Sequence, residues 1–377
     1  MIESLGIEHL FDLTAEEKIL AFFTPLIIFA AFAVAQIALA ARTVTGYVTN
    51  AETGEPRTYR LNGLLVFAIM VIIWATEATG MPRDWFYRSS LWAVFGGTVF
   101  TVIFSLIAVF GQPQGEVKNP IIAFYLGRKQ EFSFFNEYFD VKMWFYVVGG
   151  AMLSLNALSG AVWHHENFAD ANLGVFLYAG IYTFYITDYF IWERVQLYTY
   201  DLIHENTGFK LFWGGLVVYG WLFILPLWAM ANQPDPGFSA AAEYAIVGGS
   251  AALFLTGWTI SRGASLQKYW FKRWPDRKFL WFEPEIIEAG NRKILCNGFW
   301  GAARHFNYFG EGLFGLAIAL SFGHFGNPWA WSYMIFVVTM FTWRQIEDDR
   351  ACAEKYGPEK WAEYQQRVPW RIVPRVY

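Results

Sequence analysis

Long apolar stretches, separated by shorter polar ones, set the pattern of this chain from near its start to near its end. Each stretch is close to the roughly 20 residues with which an α-helix crosses the hydrocarbon core of a bilayer. A tenth span in the more polar region 284–304 is left as an alternative. The clear stretches predict nine membrane-spanning helices, at 21–41, 61–80, 91–111, 143–163, 172–192, 211–231, 242–260, 305–323 and 327–343.

The composition agrees with a chain that lies in lipid. Of its 377 residues, 55% are hydrophobic and 16% are charged, and the mean hydropathy is +0.28. One water-soluble core cannot bury that much apolar surface, so the bilayer has to cover much of it. We therefore predict an all-α, polytopic integral membrane protein with nine or ten transmembrane helices. Its expected partners are membrane lipids and not nucleic acids.

The Lys and Arg residues are distributed unevenly between the two sides of the predicted helices. All but three of the 28 lie in the loops after the first, third, fifth and seventh spans or in the C-terminal tail. The exceptions are Lys18, Arg83 and Arg88. Because basic residues accumulate in cytoplasmic loops, we predict a cytoplasmic C-terminus. The expected location is the inner membrane in a bacterium or the endoplasmic reticulum in a eukaryote.

A cationic segment follows the seventh span. Lys268 and Lys272 are four residues apart and therefore project from one face of a helix, with Arg262 nearby. Two ammonium groups and a guanidinium suit a phosphate group. The alternative is a basic anchor at the point where the chain leaves the membrane. Further basic residues in 262–304 and 344–377 predict a cytoplasmic surface for a phosphorylated cofactor or for anionic lipid headgroups.

A second polar face follows the ninth span. Arg344, Asp348, Cys352 and Tyr356 recur at intervals of four, which predicts one face of a cytoplasmic helix after that span. An ion pair between Arg344 and Asp348 on a solvated helix accounts for two of the four positions. A face that lines a ligand accounts for all four, because it also explains the thiol and the phenol.

Residues 188–209 combine polar and apolar groups at the end of the fifth span. Their spacing predicts that the polar groups lie near one stripe of a helix that enters the membrane. Ionisable groups at that depth are costly unless they face a cavity or a partner. The segment therefore predicts either a reactive site or a buried polar network that braces two helices. The stripe consists of Asp188, Glu193, Leu197, Asp201 and His204, with Tyr189 beside it.

Several kinds of chemistry find no support in the sequence. There is no Walker-type phosphate loop, and the Gly-x-Gly-x-x-Gly string at 310–315 opens an apolar helix with no strand before it. Six histidines, of which only His164 and His165 are adjacent, are too few for a di-iron oxygenase. We therefore expect no metal. Cys296 and Cys352 lie on the inferred cytoplasmic side, so we expect no disulfide.

The stretch at 298–311, taken with the segments above, resembles the integral-membrane sterol reductase family. That family comprises the C-14, C-7 and C-24 sterol reductases together with the lamin B receptor. The similarity extends over about 120–377 and departs from the family pattern at Trp192, Lys272, Phe299 and Glu311, which replace Asn, Arg, Trp and Asp. The polar stretch carries Trp300, Arg304, His305, Asn307 and Tyr308.

The resemblance implies a fold, a cofactor and a set of site residues. It implies about ten membrane helices, with N-terminal transmembrane helices in 1–120 and the catalytic membrane domain in 121–377. It also implies NADPH, which the surplus of cationic residues favours over NADH. The implied cofactor-binding residues are Arg262, Lys268, Lys272, Trp300, Arg304, His305, Asn307, Tyr308, Arg344, Asp348, Cys352 and Tyr356.

The implied activity is reduction of a carbon–carbon double bond in a sterol or a related polycyclic isoprenoid, with C-14 favoured. An unactivated alkene is a weak base, so its protonation needs a positioned acid in a dry site. Hydride from NADPH then reaches the resulting cation. The candidates for the acid are Tyr189, Glu193 and Asp348, and His204, Asp201 and Arg304 support them.

Two alternatives belong to other classes of protein. The residues around Arg304, His305 and Glu311 also resemble the isoprenylcysteine carboxyl methyltransferases of membranes, which bind S-adenosylmethionine. Those enzymes have no known counterpart to the 188–209 segment or to the lysine pair at 268 and 272. The other alternative is a non-catalytic, sterol-binding membrane protein.

Overall fold

The computed structural model describes residues 6–50, 54–111, 117–135 and 138–377. The chain divides into two compact units, Met1–Pro236 and Gly237–Tyr377. Both are built mainly of α-helices, and their few strands form three separate two-stranded sheets in the described residues. The predicted all-α membrane fold is therefore confirmed. The predicted division at 120/121 separates N-terminal transmembrane helices from the catalytic membrane domain, and it stays a prediction.

The first unit begins with a 3₁₀ turn at Glu8–Leu10 and then alternates long helices with short ones. A π-helical stretch, Gly214–Leu222, joins its last two helices into one rod. The helices are α1 Ala15–Ala38, α2 Gly63–Ala75, α3 Trp85–Arg88, α4 Ser90–Phe110, α5 Pro120–Leu126, α6 Val141–Asn167, α7 Leu173–Ile191, α8 Glu193–Gln196, α9 Tyr200–Ile203, α10 Phe209–Trp213 and α11 Leu225–Met230.

Helix α6 forms the centre of the first unit. Asp140 caps its N-terminus by accepting a hydrogen bond from the backbone N–H of Met143 at 2.9 Å, which satisfies one of the donors that a helix start leaves free. Some 83% of the apolar stretch of α6 is buried, against 33% for α1. Helices α1, α2, α7 and the π-helical stretch pack around it, so α6 presents its side chains to protein on most sides.

Two small antiparallel sheets accompany these helices. Strands β1 (Arg42–Thr49) and β2 (Pro56–Leu61) pair between α1 and α2, and β3 (Ser133–Phe134) pairs with β4 (Phe139–Asp140) before α6. Strand β2 alternates exposed and buried positions, as a half-buried strand does. The hairpin leads directly into α2, whose first residue is Gly63.

The second unit is organised around the long helix α12. Helices α12 and α14 approach each other closely at two glycines: a Cβ added to Gly257 would lie 2.5 Å from the carbonyl oxygen of Gly310, and one added to Gly310 would lie 2.6 Å from that of Gly257. Small residues at such crossings let two membrane helices pack backbone to backbone. The elements are α12 Ala240–Arg273, β5 Ile286–Ala289, β6 Arg292–Leu295, α13 Phe299–Ala302, α14 Phe306–Ser321, α15 Ser332–Tyr356 and α16 Pro358–Arg367.

A hydrophobic cluster joins the β5–β6 hairpin to the C-terminal helix α16. Trp361 and Tyr364 of α16 pack with Ile287 and Ile294 of the hairpin, and the last turn of α15 covers them through Tyr356. Burial of such aromatic and branched side chains is the main favourable contribution to folding. The C-terminal segment is therefore part of the core of this unit.

Each of the nine predicted spans falls on helical structure. Among the described residues, five helical stretches are long and apolar enough to cross a membrane: Ala15–Ala38, Ser90–Phe110, Val141–Asn167, Phe209–Met230 and Ala240–Arg273. The shorter apolar helix Gly63–Ala75 coincides with the second predicted span. The chain is thus a multi-pass membrane protein. Residues 284–304, all of which are described, hold a hairpin and one short helix, which leaves no tenth span there.

Two details of the predicted helices are wrong. The polar residues of 188–204 do not share one helical stripe, because α7 ends at Ile191 and Thr199 is extended, so that α8 and α9 are separate short helices. In addition, 344–356 is not a separate cytoplasmic helix but the second half of α15. The predicted four-residue spacing still places Arg344, Asp348 and Tyr356 on one continuous helix.

Candidate active site

The first unit holds a group of polar side chains, here called the acid cluster: Glu193 and Lys142 are buried, and Tyr189, Tyr146 and Asp201 are half-buried. Glu193 opens α8, and its side chain is 5% exposed. Its Oε2 accepts a hydrogen bond from the backbone N–H of Gly63 at 3.1 Å. Its Oε1 is buried and has no hydrogen-bond partner among the described residues.

The surroundings of Glu193 change its acidity. Burial raises its pKa from 4.5 to about 7, and the hydrogen bond from Gly63 opposes this rise only in part. Burial disfavours the charged carboxylate because the low-dielectric interior solvates it poorly. The group can therefore keep a proton near neutral pH, and an unpartnered oxygen is available to carry it.

Tyr146 contacts two other members of the acid cluster, Asp201 and Tyr189. Its hydroxyl donates a hydrogen bond to Oδ2 of Asp201 at 2.7 Å, and its ring lies 6.4 Å from that of Tyr189, centroid to centroid. The structure therefore brings two of the predicted catalytic residues to one tyrosine that the sequence interpretation missed. His204 is exposed and lies against the ring of Tyr200. Asp188 is buried near the end of α7.

Lys142 holds the chain that carries Asp201. Its side chain is 1% exposed, and its ammonium group donates to the backbone carbonyls of Asp201 at 3.2 Å, Leu202 at 3.4 Å and Glu205 at 2.7 Å. Carbonyls at a helix end lack hydrogen-bond donors within the helix, and the ammonium group of Lys142 is the donor for these three. Tyr146 lies four residues further along α6, and this spacing was the available signal for a shared face.

The second unit holds a cationic cluster, made of Lys268, Lys272, Lys355 and Trp300. The first two lie near the end of α12, as predicted, and the ammonium group of Lys268 lies 5.4 Å from the centroid of the Trp300 ring. Helix α12 has 34 residues and is about 50 Å long at 1.5 Å per residue, longer than the hydrocarbon core. Its C-terminal lysines can therefore lie outside the apolar layer.

Lys355 was missed by the sequence interpretation. It lies on α15, and burial followed by the charge of Lys268 lowers its pKa. Neither Lys355 nor Lys268 forms an ion pair within the part of the chain that the structure describes. Ammonium groups that repel one another and lack a carboxylate fit a ligand with several negative charges. The residues present thus fit the phosphates of a nicotinamide dinucleotide.

The predicted face of α15 lies beside this cluster. The hydroxyl of Tyr308 donates to Oδ2 of Asp348 at 2.5 Å, and Nε of Arg344 lies 4.0 Å from Oδ1 of the same carboxylate. The Tyr308 ring stacks on Phe341 with centroids 4.2 Å apart. Burial raises the pKa of Cys352 to about 11, so its sulfur stays a thiol at neutral pH and is a weak nucleophile.

Arg304 and His305 bind the C-terminal segment of the chain. The guanidinium of Arg304 donates to the carbonyl oxygens of Val368 at 3.0 Å and Pro369 at 2.9 Å. The side chains of Arg304 and His305 are each 6% exposed, and both reach Asp349, at 3.4 Å and 3.0 Å. Their observed partners are therefore protein groups, and their predicted contact with a cofactor stays a prediction.

Asp349 completes this arrangement and was not singled out in the sequence. Burial acts to raise its pKa, but the hydrogen bond and charge of His305, together with Arg304, overcome this effect and hold the pKa below its ordinary value. Asp349 follows Asp348 directly on α15, so the two carboxylates point to different sides of the helix. One carboxylate is part of the predicted face, and the other fixes the C-terminal segment.

The remaining predicted cofactor residues lie near the same helices. The indole N–H of Trp300 donates to the carbonyl oxygen of Ala264 at 2.9 Å, which orients the ring beside Lys268. Oδ1 of Asn307 is buried and has no hydrogen-bond partner among the described residues. Arg262 lies half-buried on α12. Among the described residues there is no group of three or more His, Cys, Asp or Glu side chains that could hold a metal ion.

The fold and the two clusters define a class: a multi-pass, α-helical membrane protein with a buried acid and a separate cationic cluster. Residues 5–377 match the model of the Ergosterol biosynthesis ERG4/ERG24 family, and the chain belongs to that family. The resemblance to the sterol reductases seen in the sequence is thereby confirmed, and with it the assignment to a family of oxidoreductases.

Three similar proteins carry the name Delta(14)-sterol reductase. The protein of Methylotuvimicrobium alcaliphilum is 30% identical over 86% of this chain and 76% of its own length. That of Arabidopsis thaliana is 34% identical over 63% of this chain and 62% of its own length. The mouse protein, Delta(14)-sterol reductase TM7SF2, is 27% identical over 85% of this chain and 77% of its own length. These names do not favour the methyltransferase or the non-catalytic alternative.

Proposed function

We propose that the protein uses NADPH to reduce a carbon–carbon double bond of a sterol, with the C-14 double bond favoured. The observation that carries this proposal is the buried carboxyl of Glu193, which combines an unpartnered oxygen with a pKa of about 7. An acid of this kind is what protonation of an isolated alkene requires. The names of the relatives favour the C-14 position.

The reaction consists of two additions to one double bond. Glu193 gives its Oε1 proton to one alkene carbon, which leaves a tertiary carbocation at the other and a carboxylate on the protein. NADPH, when bound, supplies the hydride that neutralises the cation. Tyr189, with Tyr146 and Asp201, supports the acid, and the exposed His204 can exchange protons with water. Burial of Glu193 keeps water, which would otherwise trap the cation, away from the acid.

The cationic cluster is the proposed site for the cofactor phosphates. Lys268, Lys272 and Lys355 would bind phosphate oxygens, and Trp300 fixes the position of Lys268 through its ring. The Asp348 face of α15 would line the rest of the cofactor. It comprises Arg344, Asp348, Cys352 and Tyr356, with Asn307 and Tyr308 from α14 and Arg262 from α12.

The proposed cofactor site, formed by the cationic cluster and the Asp348 face of α15, is expected to face the cytoplasm. The distribution of Lys and Arg between the loops supports a cytoplasmic C-terminus, and NADPH is a water-soluble cofactor that has to enter from that side. The sterol, being apolar, reaches the acid from the membrane. The catalytic chemistry is proposed to lie in 121–377, and the membrane is the inner membrane in a bacterium or the endoplasmic reticulum in a eukaryote.

The test is turnover by detergent-purified protein with sterol dienes that differ only in the position of the double bond. We expect NADPH oxidation to depend on the C-14 diene, and mass spectrometry to show a product heavier by two hydrogens. NADH serves as the control for cofactor choice, and S-adenosylmethionine as the control for the methyltransferase alternative. Binding of S-adenosylmethionine without any binding of NADPH would refute the proposal.

A further inference from the structure

Helix α2 begins against the acid cluster. Its first residue, Gly63, donates its backbone N–H to Oε2 of Glu193, although 130 positions separate the two in the chain. Both residues are buried. The N-terminal part of the chain, which the resemblance did not cover, therefore contacts the proposed proton donor directly.

The start of α2 lacks the usual cap from its own side chain. Asn62 occupies the cap position but makes no capping hydrogen bond. Its amide instead donates to the carbonyl oxygens of Gln36 at 3.1 Å and Leu39 at 3.4 Å, which ties the start of α2 to the end of α1. The first N–H groups of a helix need acceptors, and Glu193 provides one from another part of the chain.

A side chain at position 63 would displace the carboxyl. A Cβ added to Gly63 would lie 2.9 Å from Oε1 of Glu193, 3.0 Å from Cδ1 of Phe190 and 3.0 Å from Cγ2 of Val147. The first contact is too short for a real Cβ atom, so the carboxyl would have to move, and the other two are tighter than ordinary van der Waals packing. Glycine is thus the residue that lets the carboxyl approach the helix start.

The contact also changes character during the proposed reaction. When Glu193 loses its proton, the carboxylate charge lies at the N-terminus of α2, where the helix dipole favours a negative charge. A hydrogen bond to an ionised acceptor is about twice as strong as a neutral one. An interaction that strengthens as the proton leaves lowers the barrier to proton transfer.

We propose that Gly63, at the start of α2, is a positioning residue of the proton-donating site. Its N–H holds one oxygen of the Glu193 carboxyl, directs the other to the substrate and stabilises the carboxylate left after proton transfer. This inference rests on the proposed function and deepens it, because it assigns part of the catalytic machinery to the N-terminal helices.

The test is a double-variant cycle on sterol reduction with Gly63→Ala and Glu193→Gln. Alanine keeps the backbone N–H, but its Cβ should push the Glu193 carboxyl away from it. We therefore expect Gly63→Ala to lower kcat about ten- to hundred-fold, as for loss of one hydrogen bond to a charged group, with KM for NADPH unchanged. In the Glu193→Gln background, the same substitution should change the residual rate less than about two-fold, because no acid remains to be positioned. An equal fractional loss in both backgrounds would overturn the inference.

A pH profile separates positioning from a general packing defect. The hydrogen bond from Gly63 lowers the pKa of Glu193, so its loss should move the alkaline limb of kcat/KM to higher pH. The matched control is Gly97→Ala on α4, where an added Cβ meets Cγ2 of Val217 at 3.2 Å and no carboxyl. This control should change neither the alkaline limb of kcat/KM nor kcat.

Two further outcomes have defined meanings. If Gly63→Ala does not fold, Gly63→Ala with Val147→Ala removes one of the close contacts and keeps the contact with Glu193, so the cycle is repeated in that background. If the unaltered protein reduces sterols and Gly63→Ala matches its kcat and pH limb, this inference alone fails. If the unaltered protein binds no NADPH and reduces no sterol, the proposed function fails.

Discussion

Substitution of Glu193 by Gln tests the central feature of the proposed site. Gln has nearly the same size, and its amide oxygen can still accept the N–H of Gly63, but it cannot donate a proton at catalytic strength. We expect turnover to fall at least about hundred-fold, the lower end of what general acids contribute, while NADPH affinity stays the same. In the unaltered protein, kcat/KM should fall as the pH rises through about 7.

The same substitution has a calculable effect on stability. The pKa of Glu193 rises from 4.5 to about 7 in the fold, and a tenfold change in a protonation constant corresponds to about 1.4 kcal/mol, so the ionised form costs about 3 kcal/mol. Because the folded state binds this proton more tightly than the unfolded state does, stability falls as the pH rises between 4.5 and about 7. Glu193→Gln lacks this contribution. Its buried amide adds a penalty that does not depend on pH.

The assay is the melting temperature in detergent across that pH range, with turnover measured on the same samples. Glu193→Gln should melt with a flatter pH dependence than the unaltered protein. The control is Glu166→Gln, at an exposed carboxylate 4.0 Å from Arg83 in the same unit, which should leave both curves unchanged. Full turnover in Glu193→Gln, or an unchanged pH dependence of melting, would show that this carboxyl is neither the acid nor unusually basic.

Three further substitutions test other parts of the structure. Lys268→Ala with Lys272→Ala should weaken NADPH binding at least about tenfold in calorimetry, since each lysine supplies a charge-assisted hydrogen bond, and unchanged affinity would exclude the cationic cluster. Asp349→Asn should lower the melting temperature and expose the C-terminal segment to protease, because it leaves a buried guanidinium without its counter-charge; equal protease resistance would contradict this. Lys142→Met should cost about 1–3 kcal/mol, since it leaves buried carbonyls without a donor, and an unshifted melting curve would refute that role.

Hydropathy and helical spacing carried the predictions that held. The apolar stretches are long enough to be recognised as membrane helices from hydropathy alone. The four-residue recurrence places Arg344, Asp348 and Tyr356 on one face of any helix, and α15 is that helix. The β5–β6 hairpin was missed because short strands of mixed polarity resemble a weak apolar span. The break after α7 was missed because the residues that follow it have partners, Gly63 and Lys142, that are remote in sequence.

The contacts of Arg304 illustrate a second limit of the sequence. Two of its partners are backbone carbonyls, which every residue possesses and which leave no pattern to read. A motif can therefore indicate that an arginine matters without indicating whether it holds a ligand or the chain itself.

The two clusters correspond to the two additions that the proposed chemistry requires, and this correspondence makes them separable by experiment. In the proposed mechanism proton transfer depends on Glu193, so its variants should change the solvent isotope effect and the pH profile while cofactor affinity stays constant. The proposed phosphate site depends on Lys268 and Lys272, so their variants should raise the Kd for NADPH while the pH limb set by the acid stays in place. If one set of variants changed both quantities together, the assignment of the acid and the phosphate site to different groups would be wrong, even though the protein would remain a sterol reductase by family.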